Sequence, residues 1–143
     1  MTQLQSSFPQ PPEGLGEEHI RTLVHTFYGR VRDDDLIGPI FNEKVEDWDA
    51  HLSMLCDFWS AVILKTRRFA GHPMRKHLML PQIESRHFDR WLDLFEQTAR
   101  DVLPADAAPL FIQRARMIAD SFEYGIAATR GEMARPRHVL RGV

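Results

Sequence analysis

Two histidines on otherwise apolar, helix-like stretches are the residues with the clearest capacity for chemistry. His51 lies within residues 48–55, Trp-Asp-Ala-His-Leu-Ser-Met-Leu, and His77 lies within residues 74–81, Met-Arg-Lys-His-Leu-Met-Leu-Pro. A buried imidazole without a partner carries a desolvation cost, and neutral imidazole is the commonest metal ligand in proteins. The pair therefore suggests a metal between or beside the two rings. The plainer interpretation is that each histidine is a hydrogen-bonded core residue.

The composition indicates one globular domain whose partners are not selected by overall charge. The chain has 143 residues, 43% of them apolar, with nine Phe and three Trp, and its formal net charge is only −2. This length suits a single core. A charge so close to zero creates no field that would attract nucleic acid or an acidic membrane surface. We therefore expect neither nucleic acid nor a membrane as a partner.

The cysteine content and the first residues favour a cytoplasmic location. The single cysteine, Cys56, cannot form a disulfide within the chain. The N-terminal residues are polar and proline-rich, whereas a secretory signal would begin with basic residues and an apolar run. No apolar stretch approaches the length of about 20 residues that a bilayer-spanning helix needs. A cytoplasmic protein is the expectation.

Apolar residues recur at helical spacing in four long stretches, and no strand pattern competes with them. The predicted helices run from Glu17 to about residues 33–35, from an N-cap at Asp47 to about residue 65, over 85–102, and over about 106–128. Between the first two, a short turn over residues 36–41 brings Phe41 toward the core, because Pro39 opposes a long helix there. The fold class is therefore predicted to be all-α, with a flexible leader over 1–16, a domain over 17–128 and a flexible basic tail over 129–143.

The segment over residues 66–82 is long for a loop in a compact domain and contains His77. Gly71, Pro73 and Pro81 allow at most a short helical turn there. Long loops that persist in small domains are commonly functional. The segment is therefore predicted to pack against something other than protein.

Several other kinds of site can be excluded from the sequence. Residues 14–16, Gly-Leu-Gly, lack the third glycine and the preceding strand of a dinucleotide-binding loop. The acidic run near Asp33 and Asp35 places Ile37 and Lys44 where a calcium loop needs oxygen ligands. There is no cysteine pair for zinc or an iron–sulfur cluster, and no Cys-x-x-Cys-His for covalent haem attachment. Histidine-based chemistry remains.

Non-covalent haem needs one proximal imidazole and an apolar slot, which this chain offers. Seven short pieces of sequence, in order and with compatible spacing, resemble the third group of truncated haemoglobins over about residues 18–126. They are Phe27-Tyr28, Gly38-Pro39-Ile40-Phe41-Asn42, Trp48-x-x-His51, Phe58-Trp59, Lys76-His77-Leu78-x-Leu80-Pro81, Phe88-x-x-Trp91-Leu92-x-Leu94-Phe95 and Arg114-Ala115-x-Met117-Ile118-Ala119.

The resemblance implies a globin-like, two-over-two helical sandwich around haem b (iron protoporphyrin IX). His77 matches the proximal iron ligand of that family. The distal polar positions are matched by Tyr28, His51 and Trp91. The residues expected to contact the cofactor, or the core behind it, are Phe41, Leu55, Phe58, Trp59, Met117 and Ile118. Arg75 and Lys76, together with His72 and Arg86, lie near enough to His77 in sequence to reach the haem propionates.

The distal residue types agree with these implied roles. The dioxygen ligand of a ferrous haem carries partial negative charge, and the Tyr28 hydroxyl, the Trp91 indole and a His51 ring N–H are donors able to meet it. We therefore expect a five-coordinate haem protein that binds dioxygen and related diatomic ligands. An enzymatic version would oxidise nitric oxide or reduce peroxide and would need an electron-donating reductase, on which the sequence is silent.

Two other classes of protein remain open at this point. The first is a helical bundle holding a non-haem metal through His51, His72, His77 and His87, although the predicted inner faces carry no Asp or Glu to complete the ligand set. The second is an interaction domain that uses its basic tail, with Arg130, Arg135, Arg137 and Arg141. Deletion of the tail discriminates this second class, because the haem hypothesis predicts unchanged spectra.

Overall fold

The computed structural model describes residues 11–69 and 83–129, and within them the structure consists of helices and the turns that join them. The helices are α1 (Glu17–Asp33), α2 (Gly38–Lys44), α3 (Trp48–Leu64), α4 (Ser85–Val102) and α5 (Ala108–Thr129). None of these helices combines the length and the apolar character that crossing a bilayer requires. The all-α fold class is confirmed.

The four long helices form where the sequence predicts them, and their ends follow local rules. Asp47 caps α3, its Oδ1 accepting a hydrogen bond from the Ala50 N–H at 3.1 Å. The same helix ends at Leu64, and the C-cap residue that follows, Lys65, adopts a left-handed conformation with φ of 62°. Helix α4 begins and ends at the predicted residues, and Pro109 falls in the first turn of α5, where its missing N–H costs nothing.

The segment predicted as a short turn over residues 36–41 is largely a seven-residue helix, α2. Pro39 lies in its first turn, a position where a proline is compatible with a helix, so it opposes only a helix that continues from upstream. Gly38 begins α2 against the end of α1, where a Cβ atom would come within 2.8 Å of the Arg32 carbonyl oxygen. The close approach of the two helices therefore requires glycine at this position.

The four long helices pack as two pairs around one core, α1 with α3 and α4 with α5, which is the two-over-two arrangement, and the short α2 packs against α1. Helix α1 contacts α2, α3 and α4, and α4 in turn contacts α5. The bulkiest fully buried side chains come from α1, α3, α4, α5 and the turn before α2, and they are Phe27, Phe95, Phe111, Ile20, Leu23, Ile37 and Ile63. Burial of these side chains is the main favourable contribution to folding.

Two polar ties hold α1 and the turn after it against α4. Arg30 donates to the hydroxyl of the buried Thr98 at 3.1 Å and pairs with Asp101 at 2.8 Å. Arg90 donates through Nε to Asp34 Oδ1 at 2.7 Å. The other oxygen of Asp34 accepts the backbone N–H groups of residues 36 and 37, each at 3.0 Å. Asp34 therefore fixes the α1–α2 turn and the register of α4 together.

Replacing Asp34 by Ala is expected to lower the free energy of unfolding by about 2 kcal/mol, because a carboxylate that is only 6% exposed loses an ion pair and leaves two turn N–H groups without acceptors. Burial alone would raise the pKa of Asp34, but the Ile37 N–H, Arg90 and the Leu36 N–H together hold it below its usual value. Urea unfolding monitored by circular dichroism measures the difference.

The pH dependence of this loss has a defined sign. A depressed pKa means that the stabilising contribution is present above the pKa of the unfolded chain and is lost as the pH falls through the folded-state pKa. The gap between the Asp34→Ala protein and the parent should therefore be full near neutral pH and narrow in acid. Asp35→Ala, at the exposed neighbouring position, is the matched control. An equal loss in both variants would contradict the role assigned to Asp34.

Candidate functional site

A cavity lies between the two helical pairs, and all five helices contribute to its wall. Its empty volume, counted to the open mouth, is about 780 Å³. Almost all of its lining is aliphatic or aromatic. The lining residues are Tyr28, Ile37, Ile40, Phe41, Met54, Leu55, Phe58, Trp59, Ile83, His87, Phe88, Trp91, Ile118, Ala119 and Phe122.

Tyr28 provides a buried hydroxyl at this apolar wall. Only 5% of the residue is exposed, and its ring packs against Phe27 and Phe41 at centroid distances of 4.7 and 5.9 Å. Burial raises the pKa of Tyr28 to about 12, while a hydrogen-bonding interaction with the Trp91 side chain works in the opposite direction. Because indole N–H can only donate, the phenol oxygen accepts from Trp91 and its own O–H remains able to donate.

Aromatic packing from three helices holds Trp91 in place. Its ring stacks on Phe95 at 5.5 Å with an interplanar angle of 22°, and Phe27 meets it edge-on at 5.4 Å. Phe95 also stacks on Trp59, at 5.2 Å, which links α4 to α3. Such pairs add to the stabilisation from area burial and fix ring orientation. The Trp91 indole is therefore held beside Tyr28 before any ligand arrives.

His51 lies beside the ring of Tyr28, at the edge of the cavity. Its ring is 6.1 Å from the ring of Tyr28 and 5.6 Å from that of Trp48, and both pairs are nearly perpendicular. The Arg32 guanidinium lies 4.6 Å from the centre of the Trp48 ring, a cation–π contact. His51 is half-buried and is not one of the residues lining the cavity itself. The structure therefore brings the three predicted distal residues together, with His51 outermost.

The other predicted site residues divide into three groups. Phe41, Leu55 and Phe58 line the cavity. Met117 does not, because it is 42% exposed, while its neighbour Ile118 lines the wall. Adjacent helical residues point about 100° apart, since a turn has 3.6 residues, so only one of the two can face inward. Arg75, Lys76 and His77 lie outside the described residues, as does His72.

Sequence patterns missed several residues of the wall. Met54, Ile83, Ala119 and Phe122 line the cavity without having been assigned to the site, and the four-residue spacing between Ile118 and Phe122 was the available signal. The sequence suggests a role for His87 only as a ligand of a non-haem metal. In the structure it is 6% exposed and contributes to the cavity wall. Its position three residues after Glu84, at the start of α4, is the pattern of a helix-capping residue.

The arrangement fits a large, flat and mostly apolar cofactor better than a bare metal ion. The wall is hydrophobic, and the polar groups of Tyr28, Trp91 and His51 converge at one side, where they can meet a small polar ligand. Within residues 11–69 and 83–129 no three side chains of the His, Cys, Asp or Glu types gather as a metal site. Of the histidines in the non-haem alternative, His72 and His77 lie outside those residues. The apolar lining of the cavity has the chemistry that a porphyrin needs.

The raised pKa of Tyr28 leads to a prediction for alkaline pH. A phenol whose folded-state pKa is about 12 contributes stability that is complete below its unfolded pKa and is lost as the pH rises toward 12. The free energy of unfolding should therefore fall more steeply between about pH 10 and pH 12 for the parent than for Tyr28→Phe. Urea unfolding across that range measures this, and Tyr124→Phe, at a site 62% exposed, should behave as the parent does. Identical slopes for the parent and Tyr28→Phe would contradict the assigned burial.

Comparison with known proteins places the chain in a family. The model of the bacterial-like globin family matches residues 13–118. The Group 3 truncated hemoglobin ctb of Campylobacter jejuni is 36% identical over 115 residues, which cover 78% of this chain and 91% of that protein. The Group 2 truncated hemoglobin YjbI of Bacillus subtilis is 37% identical over 89 residues, covering 60% of this chain and 66% of that protein.

The fold supports the same grouping. The crystal structure of the group III truncated hemoglobin from Campylobacter jejuni superimposes with a TM-score of 0.75 at 34% sequence identity, and the match covers 82% of this chain and 95% of that one. The arrangement of the helices therefore has a solved counterpart. The chain belongs to the bacterial-like globin family and, within it, to the group III truncated haemoglobins.

Proposed function

We propose that the protein binds haem b in the cavity between the helical pairs, through His77 as the proximal ligand. The cofactor supplies an iron at which dioxygen and related diatomic molecules bind reversibly. The proposal includes a five-coordinate ferrous iron, which would leave room for such a ligand. We also propose a cytoplasmic location, which the presence of a single cysteine favours.

The observation that carries the proposal is the buried Tyr28–Trp91 pair at the wall of an otherwise apolar cavity. The Tyr28 hydroxyl has a high desolvation cost, since the residue is only 5% exposed. The hydroxyl lies at a cavity surface, where a bound molecule can accept a hydrogen bond from it. In a core without a ligand, an apolar ring at this position would be more stabilising.

Each of the three polar residues has a separate part in the proposed site. Trp91, held by Phe95 and Phe27, donates to the Tyr28 oxygen and fixes the direction of that hydroxyl. Tyr28 then donates to the ligand. His51, between Tyr28 and Trp48 at the cavity edge, offers a further donor and limits the access of water. Because the wall around them excludes solvent, each hydrogen bond is stronger than it would be in water.

A ligand held by these donors would leave slowly, and this favours a reaction on the retained ligand over oxygen delivery. Two hydrogen bonds of about 1.5 kcal/mol each would slow dissociation by roughly a hundredfold, since 1.4 kcal/mol corresponds to a factor of ten. Oxidation of nitric oxide and reduction of peroxide are the reaction classes we propose. Both require an external electron donor, for which an electron-donating reductase is the proposed partner.

An absorption spectrum tests the haem proposal directly. The purified protein, reconstituted with hemin, reduced and exposed to carbon monoxide, should give an intense Soret band with one haem per chain. Reconstitution with zinc or iron salts alone should give no stoichiometric binding. A protein that stays colourless with hemin but binds a free metal ion would support the non-haem alternative instead.

The basic tail can be tested in the same experiment. Deleting residues 130–143 should leave the spectra and the haem stoichiometry unchanged, because the lining residues that the structure describes all fall between Tyr28 and Phe122. Loss of haem binding on deletion would show that the tail belongs to the site, and would contradict the assignment of the cavity as sufficient.

A further inference from the structure

His87 is a second histidine of the cavity wall, separate from the distal cluster. The residue is 6% exposed and is at the third position of α4, one turn before Trp91 on the same face. One of its ring nitrogens, Nδ1, accepts a hydrogen bond from the Glu84 backbone N–H at 2.8 Å. Among the described residues, the other nitrogen, Nε2, has no hydrogen-bond partner, and the ring lines the cavity.

The capping hydrogen bond decides which nitrogen carries the proton. A backbone N–H can only donate, so Nδ1 must present its lone pair to Glu84. A neutral imidazole with an unprotonated Nδ1 carries its proton on Nε2. Burial, with the nearby Arg86 charge, lowers the pKa of His87, which favours this neutral form. The cavity therefore meets an N–H donor at His87, and the same nitrogen cannot act as an iron ligand while the cap is intact.

The surroundings of this donor favour a negatively charged acceptor. His87 lies in the first turn of an 18-residue helix, where the backbone N–H groups give a positive potential. The Glu84 carboxylate, the negative charge that acts on His87, is paired with Arg86 Nε at 3.0 Å. An anion that enters the cavity beside His87 would therefore meet a donor and the helix dipole, with little opposing charge.

We propose that His87 Nε2–H donates a hydrogen bond to one carboxylate of the bound porphyrin. This inference rests on the proposed function. Haem b carries two propionate groups, and these carboxylates are the hydrogen-bond acceptors at the edge of an otherwise apolar ring. His87 thereby anchors and orients the cofactor from α4, in addition to any contribution from Arg75 and Lys76.

Binding of hemin and of its dimethyl ester to the apoprotein tests the proposal. The ester has the same ring and iron but lacks both carboxylate charges. In His87→Leu, the preference for hemin over the ester should fall about tenfold relative to the parent, the effect of losing one hydrogen bond to a charged group. Affinity for the ester should change much less, because that molecule cannot accept a charge-assisted bond. Absorbance titrations measure all four dissociation constants.

A second variant separates anchoring from helix capping. His87→Glu keeps an acceptor for the Glu84 N–H, as glutamate at this position does in a capping box, but it removes the donor and adds a negative charge. Its preference for hemin should fall further than that of His87→Leu. His25→Leu, at an exposed position of α1, should keep the preference of the parent.

The outcomes are distinguishable. If both His87 variants keep the hemin-to-ester ratio of the parent, the proposal is overturned while haem binding itself stands. The proposal is also overturned if His87→Leu loses iron ligation, seen as a change in the ferric spectrum that imidazole reverses. Such a result would mean that His87 Nε2 is an iron ligand. If the parent binds neither porphyrin, the proposed function fails first.

Discussion

Replacing Tyr28 by Phe is expected to speed dioxygen dissociation from the reduced protein by about tenfold, the effect of removing one hydrogen bond of about 1.5 kcal/mol. The substitution removes only the hydroxyl, and the ring keeps its contacts with Phe27, Phe41 and Trp48. The cavity shape is therefore preserved, and the change in rate reports the lost donor. Stopped-flow displacement of dioxygen by carbon monoxide measures it.

Trp91 should act largely through Tyr28, so the two substitutions should not be additive. The indole donates to the phenol oxygen, which aims the hydroxyl and makes it a stronger donor. Trp91→Phe alone is expected to speed dissociation several-fold, and its effect should shrink when Tyr28 is already Phe. A double-mutant cycle gives this coupling directly. Independent donation by both residues would instead give multiplicative effects, and a combined change of roughly a hundredfold.

The controls are chosen to preserve the fold. Tyr124→Phe removes the other tyrosine hydroxyl of the chain, at an exposed position of α5, and should leave the dissociation rate unchanged. Carbon monoxide, which accepts hydrogen bonds weakly, should be affected far less than dioxygen in every variant. Equal acceleration of both ligands would indicate an opened cavity, and would count against Tyr28 as a donor.

The long helices could be predicted from the sequence because their apolar residues repeat with the helical period. In α4 the recurrence of Phe88, Leu92, Phe95 and Ala99 fixes both the element and its buried face, and all four are buried. Helix α2 could not be predicted in this way, because its seven residues span less than two helical turns and show no repeat. Its existence depends on the tertiary contact of Gly38 with the end of α1, which no local pattern reports.

The distal cluster was predictable, whereas the outline of the cavity was not. Tyr28, Trp91 and His51 were assigned through the resemblance to a family, and the structure brings their rings together at one side of the cavity. Met117 and Ile118 are adjacent, and the choice between them depends on how α5 is rotated about its axis. That rotation is set by packing against α4, which involves residues distant in sequence.

His87 illustrates a different limit. A histidine at the third position of a helix suggests capping or solvent exposure. The sequence cannot show that the ring that makes the cap also faces a cavity. The same backbone cap occurs at α1, where His19 Nδ1 accepts from the Gly16 N–H at 3.1 Å. His19, however, is half-buried and is not one of the residues lining the cavity. One local motif thus has two different surroundings, and only the packing of the helices distinguishes them.

Replacing His77 by Gly is expected to have the largest effect on the cofactor, because the proposal gives this side chain the only protein bond to the iron. The variant should retain haem poorly, and its reduced carbon monoxide complex should lose intensity or change band position. Added imidazole should restore both, by occupying the space left by the side chain and binding the iron in its place. Spectra taken with and without imidazole measure the rescue.

Rescue is the decisive measurement, because loss of haem alone has two explanations. A histidine that only stabilised the fold would also release haem when replaced, but a free imidazole would not repair that defect. His51→Leu removes the other histidine of the original pair, and should keep haem while speeding dioxygen dissociation, since His51 lies beside Tyr28. If instead imidazole rescues His51→Leu and not His77→Gly, the two assignments are reversed. His51 would then be the proximal iron ligand, and His77 would lie on the distal side.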